Sequence, residues 1–106
     1  GYGSWAVIET STSMFVGRVG LWYPAGWPGI EVGWMLHRDA WGKGYGAEAA
    51  RAAARYAFEV VGAEEIVSVI HPDNARSIAL AERIGERFLR KDVIRGHDVV
   101  VYGMGR

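Results

Sequence analysis

The stretch "IEVGWMLHRDAWGKGYGAEAA", residues 30–50, constrains this chain more than any other. Its first part alternates, with Val32, Trp34 and Leu36 on one face and Glu31, Gly33 and Met35 on the other, a period of two that predicts a strand over Ile30–Leu36. Three glycines at alternate positions, Gly42, Gly44 and Gly46, then open an alanine-rich run whose period is close to four. The helix predicted from Gly46 to about Val61 carries an apolar stripe of Ala49, Ala53, Tyr56, Ala57 and Val60, with Glu48, Arg51, Arg55 and Glu59 on the polar side. Glu48 suits the positive start of that helix, and Gly62 suits its end. "EIVSVI" (Glu65–Ile70) reads as the next strand, so Ile30–Ile70 is a β-α-β unit and should cross over right-handed and parallel.

The flanks fit a sheet around that unit. "SWAVIE" (Ser4–Glu9) and "MFVGRVGLW" (Met14–Trp22) read as a hairpin joined by a polar turn, and "YPAGWPG" (Tyr23–Gly29) as a loop. After "HPDN" (His71–Asn74), Asp73 or Asn74 can cap a second helix over Ala75–Ile84, which Gly85 stops. "FLRKDVI" and "HDVVVYGM" close the chain as a hairpin turning at Arg95-Gly96. The expected fold is α/β in a single domain over 1–106, with a mixed, mostly antiparallel sheet and one parallel β-α-β crossover.

Composition narrows the function. Twelve basic and twelve acidic side chains cancel, without the basic excess of a nucleic-acid binder. No cysteine is present, which removes disulfides and thiolate chemistry and fits a reducing, cytoplasmic setting. No apolar run approaches the ~20 residues of a membrane span. His37, His71 and His97 are scattered, with no spacing that suggests a metal site.

The glycines at the strand–helix junction carry the chemical signal. First-turn N–H groups lack intrahelical partners and the helix dipole makes that end positive, so without β-carbons a phosphate can lie on the backbone. The plain alternative is a glycine turn that only caps the helix. A Walker loop is excluded, because Gly44 follows Lys43 where serine or threonine is needed. "GKGYGA" satisfies the loose dinucleotide fingerprint G-x-G-x-x-G/A, with Asp73 as an acid at the end of the next strand. Two preceding antiparallel strands and the short chain argue against a dinucleotide fold.

Together "WGKGYG" (Trp41–Gly46), "PDNARS", "AERIG" and the final "VYGMGR" resemble the GNAT superfamily of acyl-CoA N-acyltransferases, and most closely its RimJ/RimL-type branch. That superfamily's signature is R/Q-x-x-G-x-G/A, and Trp41 stands where arginine or glutamine is usual. The resemblance runs from about Trp5 to Arg106. It implies that the backbone of Gly42, Lys43, Gly44, Tyr45 and Gly46, beside Trp41, holds the pyrophosphate of coenzyme A. It implies too that the backbone of Trp34, Met35 and Leu36 pairs with the pantetheine arm, to which Asn74 hydrogen-bonds. The implied reaction is acetyl transfer from acetyl-CoA to a primary amine, a protein N-terminal α-amine or a small-molecule amine, by direct attack in a ternary complex. Members of the superfamily usually begin with a further strand and one or two helices. Their absence before Gly1 leads us to expect an apolar face and a homodimer.

Such a reaction needs a neutral amine. At pH 7 an α-amine is about a tenth neutral, whereas a lysine forfeits about 4–5 kcal/mol unless the site deprotonates it. Glu31 is the candidate base, and the alternative for it is a charged side chain on the open sheet face or one pairing with Arg18. Ser77, one turn beyond Asn74, is the candidate donor to the leaving sulfur, unless it only helps to cap its helix. Many superfamily members carry a tyrosine acid where this chain has Ala81. Trp22, Tyr23 and Trp27 flank the loop that opens toward the acceptor side, and either line an acceptor pocket or cover a core or subunit contact. Two rivals stay open: a coenzyme A-binding domain without turnover, and a dinucleotide-binding oxidoreductase fragment.

Overall fold

The computed structural model describes residues 3–9, 14–23, 29–36 and 44–106, with side chains over 17–23, 29–35 and 44–106. One six-stranded sheet runs in the order β1-β2-β3-β4-β6-β5. Strands β1 (Gly3–Glu9), β2 (Met14–Trp22) and β3 (Glu31–Leu36) pair antiparallel in succession. Helix α1 (Tyr45–Tyr56) leads to β4 (Glu65–Ile70), which lies parallel to β3. Helix α2 (Ala75–Arg83) leads to the closing hairpin of β5 (Arg87–Ile94) and β6 (His97–Gly105), and β6 inserts against β4. The sheet is therefore mixed and mostly antiparallel with one parallel crossover, as the order of periods along the sequence predicts.

Local chemistry fixes the turns. Arg95 and Gly96 both take positive φ, 53° and 80°, the left-handed pair that matches the twist of a two-residue hairpin. Asn74 caps α2, its Oδ1 accepting from the Ser77 N–H at 3.1 Å, which decides between Asp73 and Asn74.

The main core lies between sheet and helices. Val19, Leu21, Val32 and Ile66 project from three neighbouring strands onto Ala47, Ala50, Ala53 and Ala54 of α1. Alanines let the helix sit close on the sheet, so the aliphatic strand residues are wholly enclosed. Each is worth about 1.5–3 kcal/mol over an exposed one. The buried stripe differs from the expected one. Gly46, Ala47, Ala50 and Ala54 join Ala53 and Ala57, while Ala49 is half-buried and Val60 is 64% exposed. The reason lies at the helix end, where Ala57–Val61 forms a π-helical turn instead of continuing as α. The wider i→i+5 spacing rotates Val60 off the inner face.

Strand β4 has two unlike edges. Against β6 it pairs through six residues, from Glu65↔Gly105 to Ile70↔Val100. Against β3 its registered pairing is Glu31↔Val67 alone. Among the described residues no helix is long and apolar enough to cross a membrane.

Candidate active site

The site begins where β3 and β4 part. The Val67 N–H donates to the Ile30 carbonyl at 2.9 Å, and beyond that bond the strands are bridged by side chains. Glu31 Oε2 accepts from the Val69 N–H at 2.7 Å, and the Ser68 hydroxyl donates to the Val32 carbonyl at 2.7 Å. Buried backbone groups deprived of a ladder partner need another, and an acid and a hydroxyl supply it. A cavity of about 250 Å³ opens between the strands, lined among others by Trp22, Glu31, Trp34, Ser68, Asn74 and Ser77.

Glu31 is only 7% exposed, so it is no ordinary charge on an open sheet face. Nor does the register place Arg18 beside it: Arg18 lies opposite Met35, and Trp22 opposite Glu31. The Trp22 ring rests on Gly33, where a β-carbon would come within 2.9 Å of it. Glycine at 33 thus leaves room for the indole in the wall of the cavity that Glu31 also lines.

Also in the cavity wall, the Trp34 indole N–H donates to Ser77 Oγ at 3.1 Å. Ser77 is buried, and its hydroxyl is not the helix cap, a role filled by Asn74. The indole takes a lone pair on Oγ and leaves the hydroxyl proton to be donated. Asn74 commits its oxygen to the cap and keeps its amide N–H₂ as a donor. Ala81 is wholly buried in a cluster with Ile70, Val100 and Tyr102, apart from the cavity wall. His71 accepts from the Asp73 N–H at 3.1 Å, a turn contact, and among the described residues no group of three His, Asp or Glu is placed to hold a metal ion.

Gly44 starts α1 with φ 83° and no side-chain cap, and a β-carbon there would meet nothing within 4 Å. Gly46 is buried in the first turn. An anion can therefore reach this helix start, which fits the phosphates of coenzyme A. Beyond Glu31, the β3 backbone through Trp34, Met35 and Leu36 has no registered β4 partner, so its gap-facing groups fit an extended polar arm. Trp41, Gly42, Lys43, His37 and Trp27 lie outside the described residues.

One residue was missed by sequence reasoning. Glu86 is 3% exposed, and among the described residues neither of its carboxyl oxygens has a hydrogen-bond partner. Burial pushes its pKa up to about 8; the nearby Ser68 hydroxyl draws it partly back, and the Glu31 charge adds to the rise. The signal was positional. The Glu86 N–H bonds the Ala81 carbonyl at 3.0 Å and the Gly85 N–H bonds Glu82 at 3.1 Å, with Gly85 at φ 105°. That is a Schellman helix end, whose residue after the glycine usually turns an apolar side chain inward.

Comparison with known proteins agrees with this geometry. A family model described as an acetyltransferase (GNAT) domain matches residues 1–87. The protein YkkB of Bacillus subtilis (strain 168) is 36% identical over 93 residues, 83% of this chain and 54% of YkkB. The N-acetyltransferase YnaD of the same organism, itself uncharacterized, is 27% identical over 95 residues, 87% of this chain and 56% of its own. A crystal structure of an acetyltransferase from Agrobacterium tumefaciens str. C58 superposes with a TM-score of 0.87 at 32% identity, over 99% of this chain and 61% of that one. The chain thus spans about half the length of the curated relatives it matches. With its parted parallel strands, its glycine-started helix and these likenesses, the chain belongs to the GNAT acetyltransferase family.

Proposed function

We propose that this chain carries the thioester site of a cytoplasmic N-acetyltransferase, passing an acetyl group from acetyl-CoA to a primary amine by direct attack in one ternary complex. The observation that carries the reading is the gap between β3 and β4, whose cavity is lined by both Glu31 and Ser77. The family's donor, acetyl-CoA, supplies when bound an activated carbonyl and a thiolate leaving group.

The chain's own residues do the rest. The helix start at Gly44–Gly46, with Trp41, Gly42 and Lys43 ahead of it, receives the pyrophosphate. The β3 backbone at Trp34–Leu36 and the Asn74 amide hold the arm that follows. Glu31 takes the proton of the attacking amine, with its other oxygen anchored by the Val69 N–H. Ser77, oriented by the Trp34 indole, gives a proton to the departing sulfur. Alignment of amine and thioester supplies several kcal/mol further, within the ~7–11 kcal/mol that well-oriented reactants gain. The acceptor class is a protein N-terminal α-amine or a small-molecule amine, entering beside Trp22. Self-association through the exposed Phe88, Leu89 and Val93 on edge strand β5 is proposed with it, and is measured by light scattering.

Thermal shift with acetyl-CoA, coenzyme A and NAD tests the donor. At 100 times Kd a true ligand adds about 2.7 kcal/mol, a rise of several degrees. A rise with NAD alone overturns the reading in favour of a dinucleotide fragment. Thiol release across α-amines, lysines and aminoglycosides tests turnover. Binding without release on any of them favours the second reading, a coenzyme A-binding domain without catalysis, which the buried Ala81 at the usual acid position supports.

A further inference from the structure

Two helical segments of this chain end at a left-handed glycine followed by a buried residue, and at one of them that residue is an acid. After Gly62, the Ala63 N–H reaches back to the Ala57 carbonyl at 2.9 Å and Ala63 tucks inward, buried. After Gly85 the Glu86 N–H closes instead on the Ala81 carbonyl at 3.0 Å, and Glu86 turns inward. A buried carboxyl left without a hydrogen-bond partner is costly even when neutral, and needs an account.

Its neighbour provides one. Ser68 has a single hydroxyl proton, which it gives to the Val32 carbonyl at 2.7 Å, and that bond ties β4 to β3 behind the cavity. A charged acceptor forms hydrogen bonds roughly twice as strong as a neutral one. We propose that Glu86 is a positioning residue of the gap: as a neutral acid it leaves the Ser68 hydroxyl on Val32, and as an anion it captures that hydroxyl and unties the β3–β4 bridge.

The surroundings favour the neutral form at rest. From β3 the charged group acting on Glu86 is Glu31, and each anion disfavours the other. From β6, Tyr102 stands opposite Ser68 in register. The buried face of α1 is glycine and alanine, and that of α2 is Ser77, Leu80 and Ala81, so among the described residues the buried faces of the two helices hold no cationic side chain. The charge that acts on Glu86 is thus another anion, and proton loss has one neighbouring hydroxyl to recruit. The bridge that loosens belongs to the same gap that holds Glu31, so alkaline pH acts on the site through its wall. The consequence for turnover rests on the acetyl-transfer reading; the bridge itself does not.

The test needs no ligand. In uniformly ¹³C,¹⁵N-labelled protein titrated from pH 6 to 10, the Glu86 side-chain carboxyl carbon and the Val32 carbonyl carbon should shift together with one midpoint. Glu86→Gln, a neutral isostere, should hold the Val32 signal at its low-pH position throughout. Ser68→Ala should leave Glu86 titrating but uncouple Val32 from it. A Val32 signal that stays fixed while Glu86 ionises, or that still moves in Glu86→Gln, overturns the proposal, as does Glu86 titrating in the ordinary carboxylate range. If acetyl-CoA turnover is present, kcat should fall across the same midpoint in the wild type and not in Glu86→Gln. Coupled shifts without any turnover would sink the acyltransferase reading and leave this one standing.

Discussion

The two edges of β4 solve one problem in opposite ways. Toward β6, six successive residues satisfy backbone with backbone, and the seam is so tight that a β-carbon at Gly103 would come within 2.8 Å of Leu89 and 2.9 Å of the Ile66 carbonyl. Toward β3, one registered pair gives way to bonds from Glu31 and Ser68 side chains. A seam made of backbone is indifferent to pH. One made of an acid and a hydroxyl can be opened, filled by a ligand, and altered by a proton. The difference shows that the reactive gap is a property of a few side chains on an otherwise ordinary sheet.

The sharpest way to break that contrast is at Glu31. Glu31→Gln keeps a side-chain oxygen for the Val69 N–H but removes the base, so turnover should fall about 10²–10⁴-fold, the usual worth of general base catalysis. The loss should be greatest for lysine-like amines and least for α-amines, which need less help. Initial rates of thiol release across both classes measure it, and equal losses would remove Glu31 as the base.

Next in size is the pH dependence of folding. The folded Glu86 carboxyl has its pKa raised to about 8 from 4.5, so the folded chain holds a proton that the unfolded chain releases between those values. The stability linked to it is whole below about pH 4.5, drains as pH rises, and is gone above about pH 8. At 1.36 kcal/mol per pKa unit the swing is about 3–5 kcal/mol. Glu86→Gln should match the wild type near pH 5 and exceed it near pH 9, the Tm gap widening between. Urea midpoints at the two pH values give the same comparison, and parallel curves would return Glu86 to the ordinary range.

These two carboxylates also mark where sequence reasoning stops. Strands, helices and their order are written in local periods and glycine stops, and those were legible. Glu31 was legible as an acid on β3, but its reach to Val69, 38 residues on, depends on two strands diverging, which no local pattern records. Val60 fell off the expected stripe because a π turn changes the phase, and the residues of that turn look like ordinary helix formers. Glu86 was passed over because a glutamate after a helix-stopping glycine looks solvated. Only the Schellman geometry says that this position faces inward. Trp34 and Ser77 were each named for a role, yet their bond to one another appears only when β3 and α2 are brought together.

The closed edge should respond differently. Gly103→Ala forces its methyl against the Leu89 side chain, which can move, and against the Ile66 carbonyl, which cannot. Overpacking of this kind costs about 1–3 kcal/mol, so Tm should fall by several degrees. Coenzyme A affinity, measured on the folded variant by calorimetry, should stay unchanged, because the contact lies on the far side of β4 from the gap. A variant that folds well but loses the ligand would show the two edges to be coupled.

The smallest effect separates two jobs of one residue at the mouth of the open edge. Asn74 holds the first turn of α2 through its oxygen, and Ser77, whose N–H it accepts, in turn receives the Trp34 indole. Asn74→Ala leaves a buried N–H without a partner and should cost about 1 kcal/mol, as lost N-caps do. Asn74→Asp restores the cap oxygen, and so the stability, but removes the amide donor. If the amide serves the pantetheine arm, the aspartate variant should regain its Tm while coenzyme A affinity stays lowered several-fold. If affinity returns with stability, Asn74 acts on the open edge only by holding Ser77 against Trp34, and the arm finds its donor on the backbone of β3.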